Sequence, residues 1–71
     1  MRYRVRSMTR YGNLQEHGTY RDRENAIVSA REYILIKRHR QAKVWIEVLE
    51  SVVRDRESIF GDLPTKEELD Q

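Results

Sequence analysis

The chain is predicted to be an α+β protein. It reads as a single ββαβ domain, an antiparallel sheet with one helix packed on one face, extended to ββαββ if residues 52–60 form a fourth strand. Three observations lead there. Residues 3–11 alternate with a period of two, residues 26–37 space their apolar groups three and four apart, and residues 44–49 alternate again. At 71 residues the chain can bury only about 60% of the surface its unfolded form exposes, so it builds one small core and no second domain. The domain is assigned to residues 1–60, with residues 61–71 as a mobile acidic C-terminal tail.

Tyr3, Val5 and Ser7 fall on one face of the first strand, and Arg2, Arg4, Arg6, Met8 and Arg10 on the other. Gly12-Asn13 supplies the positive φ of a tight reversal, and Leu14–Tyr20 returns as the second strand of a hairpin. Gly18 weakens that strand and marks a bulge beside His17.

Asp22 stands at an N-cap position with Glu24 in the first turn, where carboxylates meet the positive end of the helix dipole; the helix is expected from Arg23 to about Arg40. Ala26, Ile27, Ala30, Tyr33, Ile34 and the stem of Lys37 form the stripe that faces the sheet. Val28 and Leu35 lie on a second line roughly opposite, seven residues apart, and Ile36 adds an apolar group near the polar side. Two accounts fit that line. Either the helix is tucked under the C-terminal segment, or Val28 and Leu35 form a homodimer contact of the kind by which very small domains stabilise themselves. Lys37-Arg38-His39-Arg40 closes the helix, a cationic turn at the negative end of the dipole that needs no ligand to explain it.

Lys43–Val53 is the strongest strand, with Val44, Ile46 and Val48 alternating against Trp45, Glu47 and Leu49. Gly61-Asp62-Leu63-Pro64 breaks structure, and Thr65-Lys66-Glu67-Glu68 is a capping-box pattern that starts one helical turn. A right-handed crossover makes the third strand parallel to the second and lets it lie antiparallel beside the first, in the order 2-1-3. The core is then Tyr3, Val5, Val44, Ile46 and Val48 with Ile27, Ala30 and Ile34, and the opposite face presents Arg2, Arg4, Arg6, Trp45, Glu47 and Leu49. A slip of one residue would move Trp45 into the core instead.

The net charge of +2 conceals an asymmetry: residues 1–43 carry eleven basic and four acidic side chains, residues 44–71 three and eight. Such a separation fits an acidic segment lying back on a basic surface, two faces for different partners, or a basic site for an anionic ligand. Eleven of the fourteen cations are Arg, which favours planar and stacking contacts. The absence of cysteine excludes a disulfide framework, a thiol nucleophile and cysteine-based metal sites. The longest apolar run is Tyr33–Ile36, far short of the ~18 residues of a membrane span, so no membrane association is expected. No apolar stretch follows the N-terminal charges, so a secretory signal is not expected and the location is read as cytoplasmic.

Catalysis needs a nucleophile, a tuned acid or base, a metal or a cofactor cradle in a pocket that excludes water. His17 and His39 have no ligand spacing to each other or to acids and read as surface histidines; no metal site and no cofactor is expected. The three glycines stand apart, and Asp22 and Glu24 at the helix start repel anions. The chain is therefore read as a non-enzyme. What stands out is the open sheet face, where Arg2, Arg4, Arg6, Trp45 and Leu49 share one side. Trp and Arg are the side chains most enriched in protein–protein hot spots, and Arg with an aromatic ring also suits single-stranded nucleic acid. The competing account is that the C-terminal segment covers Trp45, with Glu50, Asp55, Glu57 and the acids of 67–70 pairing with the arginines.

The run Tyr3-Arg4-Val5, Tyr11-Gly12-Asn13, Gly18-Thr19-Tyr20, Asp22–Ala26 and Val44–Val48 resembles short orphan proteins encoded by tailed bacteriophages, over residues 3 to 50. The resemblance implies a small accessory protein that binds and modulates a macromolecule, and it carries over no individual site residue. The function expected is stoichiometric binding to a protein partner through the Arg/Trp face. A nucleic-acid binder using the same face, and a structural subunit of a homo-oligomer joined at Val28 and Leu35, are the alternatives.

Overall fold

The computed structural model describes residues 1–37 and 40–69. Arg38, His39, Asp70 and Gln71, together with the side chain of Lys37, lie outside the described residues, as do the expectations placed on them. The elements run β1 (Arg2–Thr9), β2 (Leu14–Tyr20), α1 (Arg23–Lys37), β3 (Gln41–Glu50), β4 (Val52–Phe60) and α2 (Lys66–Leu69). They form a four-stranded sheet in the order β2-β1-β3-β4 with every neighbouring pair antiparallel. The expected 2-1-3 core is present, and residues 52–60 add the fourth strand.

Local chemistry sets each connection. The β1–β2 reversal is closed by the Thr9 amide donating to the Asn13 carbonyl at 2.9 Å and the Gly12 amide donating to the Thr9 carbonyl at 3.0 Å, with Gly12 at φ 84°. Pairing passes from Val5↔Gly18 to Arg6↔Glu16, so His17 is the extra residue of a bulge and Gly18, at φ 133°, absorbs it. The single strand expected over Lys43–Val53 is cut at Ser51, which takes φ 66° and turns the chain from β3 into β4.

On one face, α1 packs through Ala26 and Ala30 onto Val5, Val44 and Ile46; all five are essentially buried, and the two alanines let the helix approach the sheet closely. Tyr3, Tyr20, Ile27, Ile34, Ile59 and Phe60 close the perimeter. Val48, expected in the core, is only half-buried, while β4 adds Ile59 and Phe60 to the core's perimeter at the Val44 end of β3. Arg23 pairs with Glu57, fastening the start of α1 to β4.

The other face of the sheet is covered in part by the chain after β4. Gly61 turns at φ 73°, where a Cβ would fall against the Ala42 carbonyl oxygen. Pro64 is buried. The capping box forms: the Glu68 amide donates to Thr65 Oγ1, and the Thr65 amide donates to Glu68 Oε1, both at 3.2 Å. Glu68 also holds the Lys43 ammonium through both oxygens, at 2.9 and 3.0 Å, so residues 61–69, set apart from the sequence as a mobile tail, are tied to the sheet.

Candidate functional site

The outer face is ordered as cross-strand rows. Arg2 lies beside Leu49 and Val53; Arg4 beside Glu47, with Arg56 beyond it; Arg6 beside Trp45, with Ser58 beyond; and Met8 beside Lys43. The parity anticipated from alternation is the one present, so Arg2, Arg4, Arg6, Trp45, Glu47 and Leu49 do share a face. What alternation could not show is how they pair.

Glu47 is the centre of the arrangement. It is 2% exposed and accepts from Arg4 Nε at 2.8 Å, from Arg6 Nη1 at 3.4 Å and from the Trp45 indole N–H at 3.3 Å. The Arg4 Nη2 group adds a second contact at 2.6 Å. A carboxylate without water needs such donors, because burial of an unpaired charge costs far more than the pairing returns. The Arg6 guanidinium also stands 6.0 Å from the centre of the Trp45 ring, at the limit of a cation–π contact. Guanidiniums outnumber acceptors on this face. Arg6 Nε and Arg56 Nη1 are buried and find no hydrogen-bond partner among the described residues.

Trp45 corrects the expectation most sharply. Its side chain is 0% exposed, so it cannot meet a partner in this conformation. On the face away from α1, only chain lying over the sheet can cover a ring completely, and the segment anchored by Glu68 on Lys43, two residues before Trp45, is placed to do so. Among the described residues, Glu50, Glu57 and Glu68 do not pair with the arginines of this face. Glu50 pairs with Arg54, Glu57 with Arg23 and Glu68 with Lys43, while Arg4 and Arg6 turn to Glu47 in the sheet itself.

No protein-family model, curated protein or solved structure matches this chain. The site must therefore be read from its own chemistry. Beyond the covered half, Arg2 is exposed and Leu49 is half-buried, and they border an open groove of about 670 Å³ shared with Arg4 and Val53. Met1, Val52, Val53 and Leu63 are 65%, 71%, 41% and 40% exposed. Apolar side chains thus gather beside guanidiniums at this end, where polar residues would be expected on a surface.

A second polar cluster, which the sequence reading missed, lies on the α1 side. Ser7, 0% exposed, has its Oγ 2.6 Å from His17 Nε2. The His17 ring is 3.7 Å from that of Tyr33. Tyr33 donates to Gln15 Oε1 at 2.8 Å, and Gln41 Nε2 bridges Tyr33 and Gln15. His17 is accordingly half-buried and is no surface histidine; burial holds its pKa below the ordinary 6.5. The bulge signalled by Gly18 was the clue, since it turns His17 from the alternating pattern toward α1. A serine beside a histidine suggests a nucleophile and its base, but the Ser7 hydroxyl is closed to any substrate. Among the described residues no three His, Asp or Glu side chains come together to hold a metal ion, and no helix is long and apolar enough to cross a membrane.

Proposed function

We propose that this protein is a stoichiometric binding module that docks an acidic protein surface on the open end of its outer sheet face, around Arg2, Arg4, Leu49 and Val53. The observation that carries this reading is the surplus of guanidiniums set directly beside exposed aliphatic side chains. Charge steers an acidic partner and selects it, while burial of Met1, Leu49, Val52 and Val53 supplies the affinity. Arg4 is already held in place by Glu47, so it presents its guanidinium at reduced entropic cost. Trp45 supports this role from beneath, as part of the platform that keeps Arg6 and Glu47 in position, and touches no partner. Single-stranded nucleic acid is the weaker fit, because stacking needs an accessible ring and the Trp45 ring is covered.

The test compares capture of proteins from source-cell extract by the wild-type chain and by Arg2→Glu/Val53→Asp, two exposed positions whose change leaves the thermal transition in place. An acidic protein retained by the wild type and lost by the variant, at unchanged folding, is the expected outcome. Equal capture by both overturns the reading. So does an oligonucleotide that binds with an affinity falling steeply with salt, which transfers the face to nucleic acid.

A further inference from the structure

The solvent-facing side of α1 is complementary to itself. At 100° per residue, Val28 and Leu35 lie within about 20° of one another on the side opposite Ala26 and Ala30, and they are 54% and 80% exposed. Arg31 stands about 50° to one side of that line and Glu32 about 50° to the other. Both are exposed, and neither has an ion pair or side-chain hydrogen bond among the described residues. An apolar line flanked by opposite unpaired charges is a surface that a second copy of the same helix can satisfy.

We propose that two copies of the chain associate through α1, the helices running parallel about a two-fold axis along them. Val28 and Leu35 each meet their counterparts, and Arg31 of each helix lies beside Glu32 of the other. Arg31 and Glu32 choose this orientation, against the weaker opposition of the two exposed Glu24 side chains at the start of the helices. A two-fold axis along the helices sets the left flank of one against the right flank of the other, giving two ion pairs, whereas reversed helices would oppose Arg31 to Arg31 and Glu32 to Glu32. Neither sheet obstructs the contact, since each is packed on the far side of its helix. The free edge of β4 is the other surface on which such sheets join, and it is interrupted by bulges where the pairing skips Arg54 and Ile59. The Asp55 carboxylate also takes up the Arg56 amide at 2.8 Å, removing a donor from that edge. One helix face buries less than the ~1,200 Å² of a standard interface, so the association is weak and depends on concentration. It uses a surface separate from the outer face and does not depend on the reading given for that face.

Sedimentation equilibrium over a wide concentration range tests this, with circular dichroism to verify folding. The wild type should associate; Arg31→Glu and Glu32→Arg should each weaken association about tenfold, because two attractive pairs become repulsive. Leu35→Ser should abolish it at an unchanged thermal transition. The double exchange Arg31→Glu/Glu32→Arg should restore it, and so should an equimolar mixture of the two single variants, in which every flank pair is again opposite in charge. A wild type that stays monomeric at ~1 mM, single variants that associate like the wild type, or a mixture no tighter than its components would each overturn the proposal.

Discussion

Ile46 and Glu47 are neighbours in β3, 1% and 2% exposed, and they point to opposite faces of the same sheet. Ile46 is buried among Val5, Val44 and two alanines of α1; Glu47 is buried among two guanidiniums and an indole. The two faces therefore reach equal burial by different physics. An aliphatic core has no direction, and a replacement of similar shape keeps most of its free energy. A buried carboxylate depends on particular donors, and each of those donors depends on it in return.

The largest expected effect breaks that mutual dependence. Glu47→Leu leaves Arg4 and Arg6 without their counter-ion and should cost about 3 kcal/mol, most of what a chain of this size has to spare. Ile46→Val should cost about 1 kcal/mol. Urea unfolding at unchanged slope reads both. Replacing the whole constellation sharpens the contrast: Arg4→Met/Arg6→Met/Glu47→Leu should recover most of the loss, since an apolar set needs no compensation. If Glu47→Leu costs no more than Ile46→Val, the outer face is not organised around its carboxylate.

Next in size come two glycines at similar φ. Gly12 at φ 84° has open space where a Cβ would stand, whereas at Gly61, φ 73°, the space is filled by the Ala42 backbone. Gly12→Ala should cost about 1 kcal/mol from conformation alone. Gly61→Ala should cost more and lift the segment after β4, shifting Trp45 fluorescence to the red. Equal costs, with no shift in emission, would mean that the turn at Gly61 does not hold the segment down.

The same contrast explains how much could be read before the fold was known. Alternation fixed which residues share a face, and so the company of Arg4, Trp45 and Glu47 was legible, though not the residue-by-residue register of β1 on β3. Helical spacing placed Ala26 and Ala30 inward and Val28 and Leu35 outward. The Thr65–Glu68 capping box was legible because its partners are three residues apart. Pairings across long separations were not: the pattern cannot tell that Arg4 turns to Glu47, 43 residues away, and not to an acid of the C-terminal segment. Nor can it tell that Glu68 reaches Lys43 or that Trp45 is fully buried. The His17 cluster escaped for another reason. A bulge breaks the period of two at the residue that matters, so the pattern assigns His17 no face.

Smallest, and spread over pH, are two titrations that separate the faces. Burial lowers the pKa of His17 on the α1 side, so the native state resists the proton that the unfolded chain accepts. Its contribution is complete above the ordinary 6.5 and is lost as pH falls through the lower folded-state value. On the outer face, hydrogen bonding from Lys43 and then from the Thr65 amide holds the Glu68 carboxyl below its ordinary 4.5. That contribution is complete above 4.5 and disappears as pH falls through its own lower value. Both signs make stability rise with pH, but over different windows and with different reporters. The thermal transition should begin to fall below pH 6.5, and His17→Gln should flatten this first decline while leaving Trp45 emission unchanged. Further acidification should release the segment after β4 and shift Trp45 to the red, a step that Glu68→Gln brings about at neutral pH. A single coincident step in both signals, unaffected by His17→Gln, would show that the two faces loosen together and that the segment over Trp45 is held by more than its lysine.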